Sequence, residues 1–221
     1  MINLEPNVLF DLTTPYLNHL FKNVKYPWEI LPKIKDFIIA LLQNPPNNFT
    51  FLSEGVLVGK NVKISEKATI IPPAIIADGT EIRPGAYLRG NVIIGENCVI
   101  GNSCELKNCI LLNNVQIPHY NYVGDSILGN FAHLGAGSIC SNLKSDKTNI
   151  SIKINDDKIN TNLRKFGGII GDNVEIGCNS VINPGTIIGK NTRVYPLTSI
   201  RGYIPSNLIV KSMNDIVRQN N

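Results

Sequence analysis

Aliphatic residues recur at every sixth position along two stretches of this chain. The first stretch runs from Ile64 to Leu112, and the second runs from Ile170 to Ile200. A small or β-branched residue follows most of these positions four residues later, as Ala68 follows Ile64. A period of six matches neither the 3.6-residue turn of an α-helix nor the two-residue alternation of a plain strand. It matches a short strand followed by a turn, repeated many times.

Such a repeat predicts an all-β fold in which parallel strands wind into a three-sided coil. Three six-residue units close one coil, the aliphatic side chains point inward, and successive coils stack about 4.8 Å apart. Turn residues that tolerate positive φ, such as Gly95 and Asn97, fall between the strands. Residues 51–205 are therefore predicted to form a single-stranded parallel β-helix. An ordinary α/β domain would need helical periodicity between its strands, which residues 56–140 do not contain.

Two terminal segments fall outside the repeat. Residues 1–50 include the stretch WEILPKIKDFIIALLQ from Trp28, whose apolar residues follow helical spacing until Asn44-Pro45-Pro46 ends the pattern. We expect this N-terminal helical cap to cover the open end of the coil, where an unpaired strand edge would favour aggregation. Residues 206–221 are expected to form a C-terminal tail that could be helical.

Residues 143–167 interrupt the second half of the coil. Alternation of Ile150, Ile152 and Ile154, a turn at Asn155-Asp156-Asp157 and Ile159 beyond it predict an inserted β-hairpin. The insertion carries six Lys or Arg residues against three Asp residues. Long loops in a regular scaffold are usually functional, so this basic hairpin loop is expected to serve the site.

The six-residue register is lost between Leu112 and Leu128, within the segment QIPHYNYVGDSILG. This segment contains His119, Tyr122 and Asp125. A regular repeat that breaks its own pattern usually does so at a functional or strained site. The break therefore predicts a functional site in this part of the coil.

The residues around the break resemble a known family. The stretch ELKNCILLNNVQIPHYNYVGDSILGNFAHLGAGSICSN resembles the carboxy-terminal acetyltransferase domain of the bacterial bifunctional glucosamine-1-phosphate acetyltransferase/UDP-N-acetylglucosamine pyrophosphorylase. It is more similar still to the equivalent domain of archaeal sugar-phosphate nucleotidyltransferases, in which a basic hairpin also precedes a KFGxIIGDN motif, here KFGGIIGDN from Lys165. The resemblance covers residues 56–205 and implies a left-handed coil, a homotrimer and active sites in the clefts between subunits.

Two of the roles that this resemblance implies are catalytic. His119 matches the histidine that acts as general base and takes a proton from the sugar amine. The backbone N–H of Ala136 matches the group that stabilises the oxyanion formed from the thioester. The residue types suit this chemistry, because a neutral imidazole accepts a proton near neutral pH. The glycines at positions 135 and 137 also leave backbone donors uncovered.

The other implied roles concern ligand binding. Four residues match side chains that contact the acceptor in the family: Arg83, Lys107, Tyr122 and Asn142. The first three match residues that hold the sugar phosphate, and the last matches an asparagine near the reacting amine. Two residues lie where the family binds acetyl-CoA, the implied co-substrate: Cys178 and Arg201. Cationic side chains suit both ligands, because phosphate groups accept charge-assisted hydrogen bonds.

The sequence departs from the family pattern at two positions. His133 stands where the family has an asparagine beside the reacting amine, and we assign it to substrate binding. The lysine expected six residues after Asn142 falls on Thr148, with Lys147 adjacent to it. The identity of the acceptor sugar is therefore left open.

Composition narrows the classes of function. A net charge of +4 is too small to indicate nucleic-acid binding, which needs a concentrated basic face. No apolar run has the length of a membrane span and no secretory signal is present, so we expect a cytoplasmic protein that does not bind membranes. The five cysteines include no CxxC pair, which argues against disulfides and a zinc ribbon. Four of them are expected to be small core residues: Cys98, Cys104, Cys109 and Cys140.

Together these patterns predict an acetyl-CoA-dependent N-acetyltransferase that acts on an amino-sugar phosphate, of the glucosamine-1-phosphate or galactosamine-1-phosphate type. The alternative is a stand-alone relative of the sugar-phosphate nucleotidyltransferases with a non-catalytic or sugar-phosphate-binding role. Pyrophosphorylase activity is not expected, because residues 1–60 contain no GxGTR nucleotide loop. A zinc β-helix would need three histidine ligands, whereas only His119 and His133 lie in the coil, so no metal is expected.

Overall fold

Three parallel sheets form the sides of a three-sided coil, as the repeat predicts. The computed structural model describes residues 3–154 and 157–219. The strands of the first face are Val56–Val58, Ala74–Ile76, Val92–Ile94, Cys109–Leu111, Ile127–Leu128, Gly168–Ile170, Thr186–Ile188 and Tyr203–Ile204. Those of the second face are Lys63–Ile64, Glu81–Ile82, Val99–Asn102, Gln116–His119, His133–Leu134, Glu175–Ile176, Arg193–Val194 and Leu208–Ser212. Those of the third face are Thr69–Ile71, Tyr87–Arg89, Glu105–Lys107, Tyr122–Gly124, Ile139–Cys140, Val181–Ile182 and Ser199–Ile200.

One antiparallel strand ends the ladder at each extremity of the coil. Thr50–Ser53 pairs with Val56–Val58 on the first face. Asp215–Arg218 pairs with Leu208–Ser212 on the second face. The expectation of a helical C-terminal tail is therefore wrong for the described residues, because this segment continues the second face as a hairpin.

In each coil, side chains from all three faces point inward and form the core. Ile82, Leu88 and Ile94 are at most 1% exposed and belong to one continuous apolar cluster. Four cysteines are buried in the same cluster, as predicted: Cys98, Cys104, Cys109 and Cys140. Burial raises the pKa of Cys98 and of Cys140 to about 12. These thiols act as small core residues.

The coil shortens twice in its middle. The inward residues Leu106 and Leu111 are five positions apart, and so are Val123 and Leu128. As a result Ile94 pairs with Leu111, which in turn pairs with Leu128, each 17 residues further along the chain. Both short steps lie where the chain passes from the third face to the first.

Leu112 does not point into the coil, which corrects the register expected from the sequence. Leu111 takes the inward position, and Leu112 belongs to a second apolar cluster outside the coil. The first loss of register therefore precedes Leu112 instead of following it. Because both residues are leucine, the sequence pattern does not distinguish them.

The N-terminal segment lies along the outside of the first face. It contains the α-helices Pro6–Leu9, Asn18–Phe21 and Ile34–Gln43 and the 3₁₀-helices Pro15–Leu17 and Pro27–Lys33. Its apolar side chains share the second cluster with the outward residues of the first face: Leu57, Ile75, Ile93, Ile110, Ile127, Ile169 and Ile187. Each fully buried aliphatic side chain of this kind contributes about 1.5–3 kcal/mol. None of the described helices is long and apolar enough to cross a membrane.

The N-terminal helical segment was expected over the open end of the coil, and that position is wrong. Side-chain hydrogen bonds attach it to coils in the middle of the molecule. Asn108 Nδ2 donates to the Leu31 carbonyl oxygen at 3.2 Å, and Asn130 Nδ2 donates to that of Asp11 at 2.8 Å. The apolar outward positions of the first face explain this placement, since they must be covered from the side.

The insertion forms the predicted hairpin, with Ser151–Ile154 antiparallel to Asp157–Asn160. The predicted turn at residues 155–157 falls largely on residues 155 and 156, which lie outside the described residues. Ile150, Ile152 and Phe166 pack into the second apolar cluster, where Phe166 lies 6.0 Å from the Trp28 ring. The insertion and the N-terminal segment therefore support each other.

Candidate active site

The predicted general base lies on the edge between the second and third faces. This second–third edge consists of the turns at residues 83–86, 101–104, 118–121, 135–138, 177–180 and 195–198. His119 ends its strand and is exposed. Backbone hydrogen bonds connect each turn to the next. The His119 carbonyl oxygen accepts an N–H from the next turn at 3.0 Å, and the Ala136 carbonyl oxygen accepts one from the turn after that at 2.8 Å. His119, Ala136 and Cys178 therefore stand one above another in successive coils.

A buried asparagine holds the turn that presents His119. Asn121 is 2% exposed, and its Oδ1 accepts the His119 backbone N–H at 3.1 Å. Its Nδ2 donates to the carbonyl oxygens of Gly135 at 2.8 Å and Ser138 at 3.3 Å. Sequence reasoning did not assign a role to Asn121, although it lies within the segment that breaks the repeat. It ties the His119 turn to the Ala136 turn.

The Ala136 turn is built around two glycines. A Cβ on Gly135 would lie 2.7 Å from the backbone nitrogen of Cys178, and Gly137 has a φ of +72°. Any larger residue at these positions would push successive turns apart or strain the backbone. Within the described residues the Ala136 N–H donates to no other group. It is therefore available to a ligand.

A second group of predicted residues meets on the edge between the third and first faces. This third–first edge consists of residues 89–91, 107–108, 124–126, 141–167, 183–185 and 201–202. Asp125 lies at its centre and is 5% exposed. Lys107 Nζ donates to both carboxylate oxygens of Asp125, at 3.2 and 3.1 Å, and Asn108 Nδ2 donates to Oδ1 at 2.9 Å. Asn142 Nδ2 donates to Oδ2 of the same carboxylate.

Tyr122 joins this group through Asn142. The Tyr122 hydroxyl accepts a hydrogen bond from Asn142 Nδ2 at 3.2 Å. Partial burial, and then the negative charges of Asp125 and Glu105, raise the pKa of Tyr122. The hydroxyl therefore keeps its proton and can donate it to a ligand.

Arg83 and His133 lie apart from the Asp125 group: Arg83 is in the 83–86 turn of the second–third edge, and His133 is on the second face. Arg83 Nε donates to Glu81 Oε1 at 3.1 Å. His133 Nδ1 lies 2.7 Å from Oε2 of Glu175, its neighbour in the next coil. Within one chain the structure thus does not bring either residue to Lys107, Tyr122 and Asn142. The partner Glu175 follows the insertion, and no local pattern in the sequence identifies it.

Arg201 borders a cavity of ≈ 750 Å³ between the insertion and the last coils, together with Lys144, Lys153, Asn183 and Tyr203. Lys144 is partly neutralised by Asp146, at 3.0 Å. Lys153 and Arg201 form no ion pair with any described carboxylate. The cavity is therefore a basic one, and Cys178 lies on the opposite edge of the third face from it.

Within the described part of the chain, no three His, Cys, Asp or Glu side chains gather closely enough to hold a metal ion. The chemistry available is that of an exposed imidazole and a free backbone N–H on one edge. The other edge offers an ammonium, a phenol and an amide around a buried carboxylate. Such groups suit acid–base chemistry and the binding of an anionic polar ligand.

Two family profiles match this chain. Residues 70–164 match the family described as GMPPB C-terminal domain, and residues 167–202 match bacterial transferase hexapeptide (six repeats). Residues 167–202 thus match hexapeptide repeats, and repeats of this kind fit a left-handed β-helix. It is homologous to the C-terminal regions of GlmU-type bifunctional sugar-1-phosphate nucleotidyltransferase/acetyltransferases, as the sequence resemblance predicted.

Individual relatives cover only part of this chain. A bifunctional sugar-1-phosphate nucleotidylyltransferase/acetyltransferase of Sulfurisphaera tokodaii is 36% identical over 39% of this chain and 22% of the relative. The bifunctional protein GlmU of Methanococcus vannielii is 40% identical over 38% of this chain and 20% of the relative. The matched regions are thus about a fifth of the length of these relatives.

A solved structure has the same fold. A mutant of AntD, an N-acyltransferase from Bacillus cereus in complex with dTDP and coenzyme A, aligns with a TM-score of 0.50. It is 22% identical, and the alignment covers 79% of this chain and 92% of that one. At this identity the likeness shows the fold alone.

Proposed function

We propose that this protein is an N-acetyltransferase that moves the acetyl group of acetyl-CoA to the amine of an amino-sugar phosphate. Glucosamine-1-phosphate is the first candidate acceptor and galactosamine-1-phosphate the second. The observation that carries the proposal is the cluster of Lys107, Tyr122 and Asn142 around Asp125, on a coil that also presents an exposed His119. Homology to acetyltransferase-containing GlmU-type proteins supports the same activity.

In the proposed reaction the sugar amine attacks the thioester carbonyl carbon of acetyl-CoA. His119 takes the proton that the nitrogen loses, and the Ala136 N–H donates to the oxyanion of the tetrahedral intermediate. The C–S bond then breaks, and the CoA thiolate recovers a proton from the His119 imidazolium or from water. Proton transfer of this kind contributes about 10²–10⁴ in rate, and one oxyanion donor contributes about 10²–10³.

The acceptor would be held by its phosphate and by its amine. Lys107 supplies a positive charge, and the Tyr122 hydroxyl supplies a proton donor for a phosphate oxygen. Asn142 would lie beside the amine. Arg83 and His133 would belong to the same site only if another copy of the chain brings its second face and its second–third edge to the third–first edge.

The division of the site between two edges supports a homotrimer with shared active sites. Within one chain, His119 and Lys107 lie at opposite borders of the third face. A neighbouring copy could place its second–third edge against this third–first edge and complete the site. Exposed apolar residues along the second–third edge support such a contact, since Tyr120 is 65% exposed and Leu197 is 79% exposed.

Acetyl-CoA would lie in the same cleft. Cys178 stands one coil above Ala136, and the basic cavity at Lys153 and Arg201 would receive the phosphates of the nucleotide end. Because these groups lie on different edges, they too would come from different copies. A trimer would therefore bind each CoA between two subunits.

A substrate screen tests the activity directly. The purified chain is incubated with acetyl-CoA and each amino-sugar phosphate, and free CoA thiol is measured over time. We expect turnover with glucosamine-1-phosphate or galactosamine-1-phosphate and much slower turnover with the unphosphorylated sugars. Tight binding of these phosphates without turnover would instead favour a sugar-phosphate-binding role.

Mixing two impaired variants tests the shared site. His119→Ala should be nearly inactive because its kcat is low. Lys107→Met should show little activity when the acceptor concentration is kept well below its raised KM. If each site takes His119 from one copy and Lys107 from another, co-refolded mixed trimers contain some intact sites and regain a measurable fraction of wild-type activity. A site contained within one chain would give no recovery, because every chain would then carry a damaged site.

Protection of a cysteine tests the placement of acetyl-CoA. Among the five cysteines, all of them described, Cys178 alone is exposed. Iodoacetamide at neutral pH should therefore alkylate Cys178 and leave Cys98 and Cys140, whose raised pKa keeps them protonated. Saturating acetyl-CoA should slow the alkylation of Cys178; an unchanged rate would remove Cys178 from the cofactor site.

A further inference from the structure

Asp125 is a buried carboxylate at a turn position with positive φ. It is 5% exposed and has a φ of +47°. Aspartate tolerates the left-handed region better than most residues, but a buried charge must be compensated by several donors. Asp125 lies within the second five-residue step of the coil, from Val123 to Leu128, which sets its position relative to Lys107 and Asn142. Such a costly arrangement is retained when the surrounding groups depend on it.

Within the described residues, the hydrogen bonds to the Asp125 carboxylate come only from side chains. Its carboxylate accepts from Lys107 Nζ, Asn108 Nδ2 and Asn142 Nδ2. Two of these donors, Lys107 and Asn142, are the groups assigned to the acceptor. The carboxylate therefore connects the residues that would contact the ligand.

The carboxylate also fixes which way Asn142 faces. An ionised carboxylate can only accept hydrogen bonds, so the amide nitrogen of Asn142 must be the atom that faces Asp125. The same nitrogen donates its second proton to the Tyr122 hydroxyl at 3.2 Å. Both N–H protons of Asn142 are thereby used, and its Oδ1 is left to accept a hydrogen bond from a ligand.

The orientation of Asn142 sets the direction of the Tyr122 hydrogen bond in turn. Because the Tyr122 oxygen accepts from Asn142, its own proton is free to donate elsewhere. The Asp125 carboxylate thus leaves Asn142 with a free acceptor, its Oδ1, and leaves the Tyr122 hydroxyl with a free donor. An amine and a phosphate on the same sugar require these two opposite polarities.

We propose that Asp125 is a positioning residue for the acceptor. It orients Lys107 and Asn142 so that Asn142 Oδ1 accepts from the sugar amine, while the Tyr122 hydroxyl and the Lys107 ammonium donate to the sugar phosphate. This inference rests on the proposed function for the identity of the ligand. The hydrogen-bond directions themselves do not depend on it.

The chain offers a matched control in Asp172. This carboxylate is also buried, at 4% exposed, and also pairs with a lysine, Lys190 Nζ at 3.1 Å. Unlike Asp125, it accepts backbone N–H groups, from Asp11 at 2.6 Å and from Asn130 at 2.7 Å. Asp172 therefore attaches the N-terminal segment to the coil and touches no residue assigned to the site.

The test compares Asp125→Asn with Asp172→Asn in the full chain. Steady-state kinetics give the KM for the amino-sugar phosphate and for acetyl-CoA separately. We expect Asp125→Asn to raise the acceptor KM about ten- to hundredfold, the range expected for hydrogen bonds to a charged group, and to leave the KM for acetyl-CoA within about twofold. Asp172→Asn should leave both KM values within about twofold of the wild type while lowering the thermal midpoint. An acceptor KM that changes equally in both variants, or in neither, would overturn the proposal.

A second measurement does not need turnover. The side-chain amide resonances of Asn142, identified by their loss in Asn142→Asp, are followed by NMR in the ligand-free protein. We expect slow hydrogen exchange of this amide in the wild type and in Asp172→Asn, and fast exchange in Asp125→Asn. Equal exchange in all three proteins would refute the positioning role. If the wild type turns over no amino-sugar phosphate but this pattern holds, the proposed function fails while the positioning of Asn142 stands.

Discussion

The two edges of the third face are built in different ways. Along the second–third edge, backbone hydrogen bonds and closely stacked glycine turns fix the chain, and the side chains of His119 and Cys178 project from it. Along the third–first edge, a network of side chains surrounds Asp125. The second–third edge thus holds His119, the proposed base, through the backbone. The third–first edge holds Lys107 and Asn142, which are proposed to bind the acceptor, through charge and side-chain hydrogen bonds. Substitutions should therefore affect turnover on one edge and acceptor binding on the other.

The largest effect is expected for His119→Ala. Removing the general base should lower kcat about 10²–10⁴-fold, while both KM values change little. The rate of CoA thiol release measures the loss, and size-exclusion chromatography checks that the oligomer is retained. Turnover at the wild-type rate would show that His119 is not the base.

Lys107→Met should change the acceptor KM instead of kcat. Loss of the ammonium removes a charged contact with the sugar phosphate, so the acceptor KM should rise about 10–100-fold. It also leaves Asp125 buried without its ion-pair partner, so the thermal midpoint should fall. A fall in kcat at an unchanged acceptor KM would contradict the assignment of this edge to binding.

Tyr122→Phe tests a smaller contribution at the same edge. Loss of one hydrogen bond should raise the acceptor KM several-fold, corresponding to about 1 kcal/mol. Because the pKa of Tyr122 is raised, its donor form persists above the pH at which an ordinary tyrosine ionises. Acceptor affinity should therefore show no loss from tyrosine ionisation below about pH 10. An alkaline decline below that pH that disappears in Tyr122→Phe would contradict this.

The smallest effect is expected for Leu197→Asn, on the second–third edge. Leu197 has a φ of +60° and is 79% exposed. Asparagine tolerates this conformation better than leucine. The substitution should therefore stabilise the folded monomer by about 1 kcal/mol and raise its thermal midpoint by a few degrees. A lower midpoint, with weaker oligomers, would show that Leu197 is held by contact with another copy.

Several features of the fold could be predicted because they are local and periodic. The six-residue spacing identified inward residues such as Ile82, Leu88 and Ile94, and the isoleucine alternation identified the inserted hairpin. The covering of the first face was missed, although its signal is present. Paired apolar residues such as Ile75-Ile76 and Ile93-Ile94 recur once per coil, so that this face is apolar on both sides.

The site was only partly predictable for a different reason. Its residue types could be named from the break in the repeat and from the resemblance, but their partners could not. Asp125 joins Lys107 to Asn142 because two five-residue steps align three coils. Shortening a step from six residues to five beside the adjacent leucines Leu111 and Leu112 leaves no trace in the pattern of aliphatic residues. Glu175 reaches His133 across the whole insertion. Contacts between coils depend on register, and register is a property of the folded chain.

The reversed strands Thr50–Ser53 and Asp215–Arg218 each end the parallel ladder of one face, at opposite extremities of the coil. A coil of parallel strands repeats along its axis, so either extremity could in principle template a further molecule and lead to fibres. A strand running the opposite way offers the wrong pattern of hydrogen-bond donors and acceptors for continued parallel growth. On these two faces the reversed strands therefore oppose end-to-end growth into fibres.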